Sequence, residues 1–351
     1  MIRMFLFGAV WLSCCAGLQL HFTRRELGVL SVSSVPPSLF SKQPTSVPFP
    51  LQYLPIGNCW ALKVSIADNL MNGFTFLAIV DTGSPFLTTP ARSLQLTDST
   101  RFPSSYEQYG EPSGKMEWRN ANYVTLIAEQ NVLFEQRHIV LGVPSNEVVK
   151  ETGGIFAGLI WKDDNRPSFL QQLGFIAMHI DFGNNHLTLS RQPLLSRNDP
   201  ASCTLYNLRP FGPDLYHYAV LCDVVELQFI DKDDDTLVQT LSLDRNNVKR
   251  PIVAVLDTGL TGCILSDSFQ RVNGFPLPGR ILGACVSIHS INGEQIRLTS
   301  CDQHWRLSSF RLPWFYDDDD HPHIIAMGNT FWQNTKSLTI DPSIGRFKVE
   351  V

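Results

Sequence analysis

Two short stretches of the chain hold residue types that could do chemistry. FLAIVDTGSPFL (Phe76 to Leu87) and IVAVLDTGLTGCIL (Ile252 to Leu265) each place an acid behind an apolar run and follow it with Thr-Gly. A given tripeptide turns up by chance about once in several thousand positions, so one copy would mean little. Two copies, both behind apolar runs and with Asp81 and Asp257 set 176 positions apart, are a strong signal. An apolar strand delivers its acid to the interior. Thr offers a hydroxyl to neighbouring backbone, and Gly lets the chain turn sharply without a clashing side chain. Two such loops face to face would pair two carboxyls. Both cannot ionise at close range, so the pair would share one proton. It could then hold a water, take a proton from it during attack on a carbonyl, and protonate the leaving nitrogen. The competing reading is a pair of structural aspartates capping turns.

The elements that must position these loops read as β throughout. Period-two or fully apolar runs recur at Phe74 to Val80, Tyr123 to Ala128, His186 to Ser190, Tyr218 to Ile230 and Arg346 to Val351, separated by Gly, Asn, Asp and Pro. Only PSFLQQLG, Pro167 to Gly174, reads as a helix, with Pro at its start and Gly at its end. The expected class is all-β with a few short helices.

With both Asp-Thr-Gly motifs in one chain, the sequence resembles the pepsin-like aspartic proteases, from about residue 50 to the end. SYEQYGEPSGKMEW (Ser105 to Trp118) looks like the family's flap hairpin, with Tyr109 at the flap tyrosine; a surface hairpin tyrosine is the alternative. GGIFAGL (Gly153 to Leu159) resembles the segment that braces the first acid loop. HIIAMGNTFWQNTKSLTIDPSIGRFKV (His323 to Val349) resembles the family's second brace, short helix and closing strands. The resemblance implies two β-barrel-like lobes around a central cleft, a first lobe over 51–195 and a second over 196–351. It also implies a monomer, with one Asp supplied by each half. Asp81 and Asp257 would be catalytic, with Gly83, Ser84, Tyr109, Gly259 and Thr261 around the substrate. That substrate would be a peptide or protein cut between hydrophobic residues, with no metal or organic cofactor.

Three positions depart from the family pattern. Ser84 matches the hydroxyl expected after the first Asp-Thr-Gly, but Leu260 stands in its place after the second, followed by Thr261. A carboxylate that loses a donor should have a higher pKa. Thr88 occupies a position where many relatives carry Trp, and Asn329 one where they often carry Asp. An alternative function follows from these departures: a weak or inactive homologue that binds peptides or proteins through its cleft. A β-rich secreted binding protein without a dyad is the third reading.

Composition narrows the rest. At 351 residues, with 44% hydrophobic and 17% charged, the chain can bury the cores of two domains. A net charge of -5 without a basic stripe excludes nucleic acid as a natural partner. The acidic runs at Asp233 to Asp235 and Asp317 to Asp320 read as solvated loops. MIRMFLFGAVWLSCCAGLQL reads as a signal peptide over 1–17, so the expected destination is the secretory pathway, either extracellular or vacuolar/lysosomal, with no membrane insertion after cleavage. The Ser/Pro-rich segment 18–50 reads as a linker or short prosegment, in which Lys42 could block the dyad; plastid targeting is its alternative reading. Six cysteines outside the signal allow up to three disulfides, or else free buried thiols.

Overall fold

The computed structural model describes residues 44–55, 57–67, 73–89, 100, 102–107, 114–128, 133–144, 155–162, 166–212, 215–230, 238–266, 268, 280–300, 308–309 and 321–351. The expected signal peptide, Lys42, Tyr109 with the tip of its hairpin, Cys301 and both acidic runs lie outside the described residues.

The chain begins its sheet earlier than the Ser/Pro-rich composition implied. Ser46–Leu54 is a strand in which Val47, Phe49 and Leu51 are buried while Pro48 and Pro50 face outward. It is central, pairing with His186–Ser190 on one side and Cys59–Ala67 on the other. The boundary expected at residue 50 therefore falls inside a strand. The period-two pattern of Val, Phe and Leu decides the conformation, and the prolines are tolerated because their nitrogens face away from His186–Ser190, on the side where pairing with Cys59–Ala67 begins only at Leu51.

From that strand a single twelve-stranded sheet runs in two directions. One way lie Cys59–Ala67, Gly73–Asp81 and Phe156–Gly158, with the hairpin of Gly114–Ile127 and Leu133–Pro144 folded against Cys59–Ala67. The other way lie His186–Ser190, Ala177–Asp181, Ser337–Asp341, Arg346–Glu350 and Cys203–Thr204. The closing strands of the chain thus pair with strands from its first half, and the sheet becomes a platform shared by both lobes. The second lobe adds a five-stranded sheet, which contains Ile252–Leu256 and His323–Met327, and a four-stranded sheet centred on Val224–Ile230 and Arg280–His289.

The long apolar run Tyr218 to Ile230 is not one strand. It breaks at Asp223 because its halves serve different sheets: Ala219–Cys222 pairs with Ile252–Leu256, and Val224–Ile230 with Val238–Asp244 and Arg280–His289. The expected helix is present but shorter, over Phe169–Gln172. Ser168 caps it in a reciprocal box with Gln171, and Gly174 leaves it at a positive φ of 75°.

The cysteines correct the disulfide expectation. Cys203, Cys222, Cys263 and Cys285 are buried free thiols. Cys222 and Cys263 lie on strands separated by two others in one sheet. Three strand spacings amount to about 14 Å, whereas a disulfide needs Cα atoms within about 7 Å. Burial also pushes the Cys203 thiol up to about 12 and those of Cys222 and Cys263 higher still.

Candidate active site between the lobes

Each candidate acid sits at the end of a buried strand that is held by a parallel neighbour. Asp81 ends Gly73–Asp81, which pairs in parallel with Phe156–Gly158. Asp257 follows Ile252–Leu256, all five residues of which are buried and paired in parallel with His323–Met327. The brace glycines fit this arrangement for a steric reason. A Cβ on Gly158 would strike the backbone of Pro85 and Phe86, and one on Gly328 the backbone of Leu260 and Gly262. The two halves solve the same packing problem in the same way.

The loops then meet through their threonines. The Thr82 hydroxyl donates to the Leu256 carbonyl at 2.8 Å, while the Thr258 hydroxyl donates to the Val80 carbonyl at 2.8 Å. In return the Thr82 N–H donates to Thr258 Oγ1 at 3.1 Å, and the Thr258 N–H to Thr82 Oγ1 at 3.0 Å. Four buried bonds therefore clamp one lobe to the other directly beneath the acids. Above the clamp, each glycine faces the opposite acid: a Cβ on Gly83 would overlap the Asp257 carboxyl, and one on Gly259 the Asp81 carboxyl. The two carboxyls lie within hydrogen-bonding reach of each other.

Their environments are unequal. Burial raises the pKa of Asp81, opposed by Ser84, by the Gly83 N–H at 2.7 Å from Oδ1, and by the Ser84 N–H. The buried Ser84 hydroxyl lies outside well-formed hydrogen-bond geometry, yet close enough to favour the ionised form of Asp81. Burial also raises Asp257, and the neighbouring Asp81 charge raises it further; the N–H groups of Gly259 at 3.0 Å and Leu260 at 3.1 Å oppose this only in part. At a pH where the pair holds one proton, the two carboxyls share it, and the donors around Asp81 favour the charge on that side.

Leu260 finds its place here. Its backbone N–H serves Asp257, while its side chain packs against the apolar cluster of Leu208, Leu215, Ala219, Val253, Val255 and Ile324. Thr261 does not reach the dyad: its hydroxyl donates to the Gly57 carbonyl at 2.9 Å, tying the loop to the first lobe. The missing hydroxyl can therefore be tested directly. Leu260→Thr should lower the pKa of Asp257 and shift any pH optimum downward, with a small loss of stability from reduced packing. An optimum unmoved in a pH–rate profile would mean that the Leu260 N–H already supplies all the stabilisation a donor can give.

Thr88 is not exposed to the acids either. It is buried, and its Oγ1 accepts the Phe156 N–H at 2.8 Å, tying the loop after Asp81 to its brace.

Two residues at the site carry little sequence signal. His217 touches Gly83, and that contact favours its charged form, which requires its ring N–H to donate to the Gly83 carbonyl. Burial outweighs this and pushes its pKa down to about 4. Asn329 is buried beneath the second loop, where its Nδ2 donates to the Thr258 carbonyl at 2.8 Å. An ionised Asp cannot make that bond. Asn329→Asp should cost stability at pH 7, where a buried carboxylate would face the carbonyl. The loss should vanish near pH 3, where the protonated acid donates again. Equal melting-temperature losses at both pH values would contradict this role for the amide.

A cavity of about 600 Å³ lies on the first lobe, lined by Thr100, Asn120, Arg137, His138 and Gln172 among others, and neither aspartate borders it. The chemistry described above belongs to the seam between the lobes.

No known protein-family profile matches the sequence. No curated protein matches it either. Solved structures do match. Basic 7S globulin from soybean superposes with a TM-score of 0.55 at 11% identity, over 88% of this chain and 96% of that one. An aspartic proteinase from Irpex lacteus superposes with a TM-score of 0.52 at 13% identity, over 87% of this chain and 97% of that one. At such identities the likeness establishes the fold alone. The chain has the bilobal, all-β pepsin-like fold.

Proposed function

We propose that the chain is an aspartic endopeptidase that hydrolyses peptide bonds with a water held between Asp81 and Asp257. The observation that carries this reading is the clamp: two carboxyls, Asp81 buried and Asp257 half-buried, one from each lobe, held together by four reciprocal threonine bonds. In the reaction Asp81, ionised, takes a proton from the water as its oxygen attacks the substrate carbonyl. Asp257, protonated, donates to the carbonyl oxygen. A proton then passes to the leaving nitrogen as the carbon–nitrogen bond breaks. The substrate would lie between the lobes as an added strand, with alternate side chains in apolar pockets. Ser84 would act on the charge of Asp81, and Gly83 and Gly259 would give the carboxyls room to meet.

The test is digestion of a denatured protein between about pH 3 and 7, with and without a pepstatin-type inhibitor. Inhibitor-sensitive cleavage that disappears in Asp81→Ala and in Asp257→Ala supports the reading. A folded protein that cleaves nothing across this range would sink it and leave a cleft that binds without cutting.

A further inference from the structure

One wall of the first-lobe cavity departs from the regular strand it belongs to. Arg137, His138, Ile139 and Val140 are consecutive in Leu133–Pro144, yet all four border the cavity. Successive residues of a regular strand send their side chains to opposite faces. This strand breaks that alternation at His138, which sits in the left-handed region at a φ of 56°. The ladder to Gly114–Ile127 pairs Ala121 with Ile139 and Tyr123 with Arg137, and it skips Asn122 and His138 between them. An irregularity of this kind re-aims a side chain. Here it brings an imidazole and a guanidinium, neighbours in sequence, to one cavity.

The other polar walls already use their hydrogen bonds. Gln172 fastens the helix Phe169–Gln172 to the strand edge: its Oε1 accepts the Val140 N–H at 2.6 Å, and its Nε2 donates to the Val140 carbonyl at 3.0 Å. The Thr100 hydroxyl donates to the Trp118 carbonyl at 3.1 Å and accepts the Phe102 N–H at 3.2 Å. Arg137, His138 and Asn120 are different. Among the described residues, Arg137 has a loose ion pair with Glu135, 3.5 Å from its Nε, and a ring contact with Tyr123 at 5.1 Å. The side chains of His138 and Asn120 have no hydrogen-bond partner among the described residues. No acid among those residues borders the cavity.

We propose that this cavity binds a small organic carboxylate with an apolar body. A carboxylate offers two acceptor oxygens to the planar guanidinium of Arg137, and an imidazole and an amide can each add a donor. The Arg137 side chain is 65% exposed, so its pair with Glu135 is weak and yields easily to a ligand. The apolar body would lie against Phe102, Ile139, Val140 and Pro167. A volume of about 600 Å³ falls within the usual span of small-molecule sites, about 300–1,000 Å³. An extended peptide suits the place less well, because the kink at His138 interrupts the strand edge along which it would pair. The inference goes beyond the proposed hydrolysis and does not depend on it, since neither aspartate borders the cavity.

The test uses the whole folded chain at about pH 7, where carboxylates are ionised. Ligand-observed NMR follows phenylbutyrate as the probe, with its primary amide and acetate as controls. The expected result is saturable binding of phenylbutyrate, about tenfold or more tighter than its amide, which keeps the apolar body and loses the charge. Acetate keeps the charge alone and should also bind about tenfold or more weakly. Arg137→Gln should bring phenylbutyrate level with its amide, whereas Arg137→Lys should keep part of the preference. His138→Asn, whose side chain tolerates the left-handed backbone, should weaken binding several-fold. Melting temperatures measured without probe check that each variant is folded, as expected for exposed side chains. A pepstatin-type inhibitor should leave the binding unchanged. Displacement by that inhibitor, equal affinity for acid and amide, or a preference unaltered in Arg137→Gln overturns the proposal. Digestion by the unaltered protein is followed separately, so failure of this site leaves the protease reading standing, and absence of cleavage leaves the site standing.

Discussion

Asp257→Asn should abolish hydrolysis and at the same time make the protein harder to unfold at neutral pH. On the proposed reading, the loss of activity, about 10²–10⁴-fold, follows from removing one of the two groups that would move protons. The gain in stability follows from the electrostatics. Asp257 is raised by burial and by the Asp81 charge beside it, so its folded pKa lies above its unfolded value. Such a group contributes stability that is complete below the unfolded pKa and is lost as pH rises through the folded one. At pH 7 the unaltered protein must either hold a proton that the unfolded chain would release or keep two charges together. Asn removes that choice: its Oδ1 can still accept the N–H groups of Gly259 and Leu260, and its Nδ2 can face the Asp81 carboxylate. His217 works in the opposite direction. Its pKa is depressed from 6.5 to about 4, so its contribution is lost as pH falls through that window. Both proteins carry His217, however, and it cancels in the comparison. Melting temperatures should therefore differ by several degrees near pH 7.5, with the variant higher, and converge near pH 3. A variant less stable by the same margin at both pH values would mean that the two carboxyls do not share a proton.

Much of this arrangement was legible before any coordinate. The duplicated Asp-Thr-Gly located the acids because strand, hydroxyl and glycine are each needed for a local physical reason, and the structure uses each for that reason. What the sequence could not express was partnership. Thr82 offers a hydroxyl to some backbone, but that the backbone belongs to Leu256 depends on how two distant lobes meet. The roles of Thr88 and Thr261 were hidden in the same way: each hydroxyl is occupied by a backbone group far along the chain. Leu260 looked like a defect because the reading followed its side chain, whereas the bond to Asp257 comes from its backbone. His217 had no signal at all, since a histidine entering an apolar strand resembles any partly buried histidine. Composition misled in the even cysteine count, which suggested disulfides where Cys203, Cys222, Cys263 and Cys285 are free thiols, and again where it overrode pattern, at Ser46–Leu54. There the richness in Ser and Pro hid the alternation that the sheet actually reads.

The clamp beneath the acids should cost more to break than any other polar contact in the site. Thr258→Val keeps the shape and removes the hydroxyl, which leaves the Thr82 N–H and the Val80 carbonyl buried without it. Thr82→Val does the same to the Thr258 N–H and the Leu256 carbonyl. Each orphaned buried group costs about 1–3 kcal/mol, so either variant, which orphans two, should lose about 2–6 kcal/mol in denaturant unfolding. The double variant should lose less than the sum of the two. Once one pair of bonds has gone, the lobes can part enough for water to reach the other pair, and the second loss is softened. The clamp also fixes the distance between the carboxyls, so hydrolysis should fall more steeply than stability, through a lower kcat with KM little changed. Chemical unfolding of both single variants and the double, with kcat measured on each, tests the whole chain of cause. A single variant that loses under about 0.5 kcal/mol would show that the threonine bonds do not join the lobes. Strict additivity would show that the lobes are held rigid by the shared twelve-stranded sheet alone.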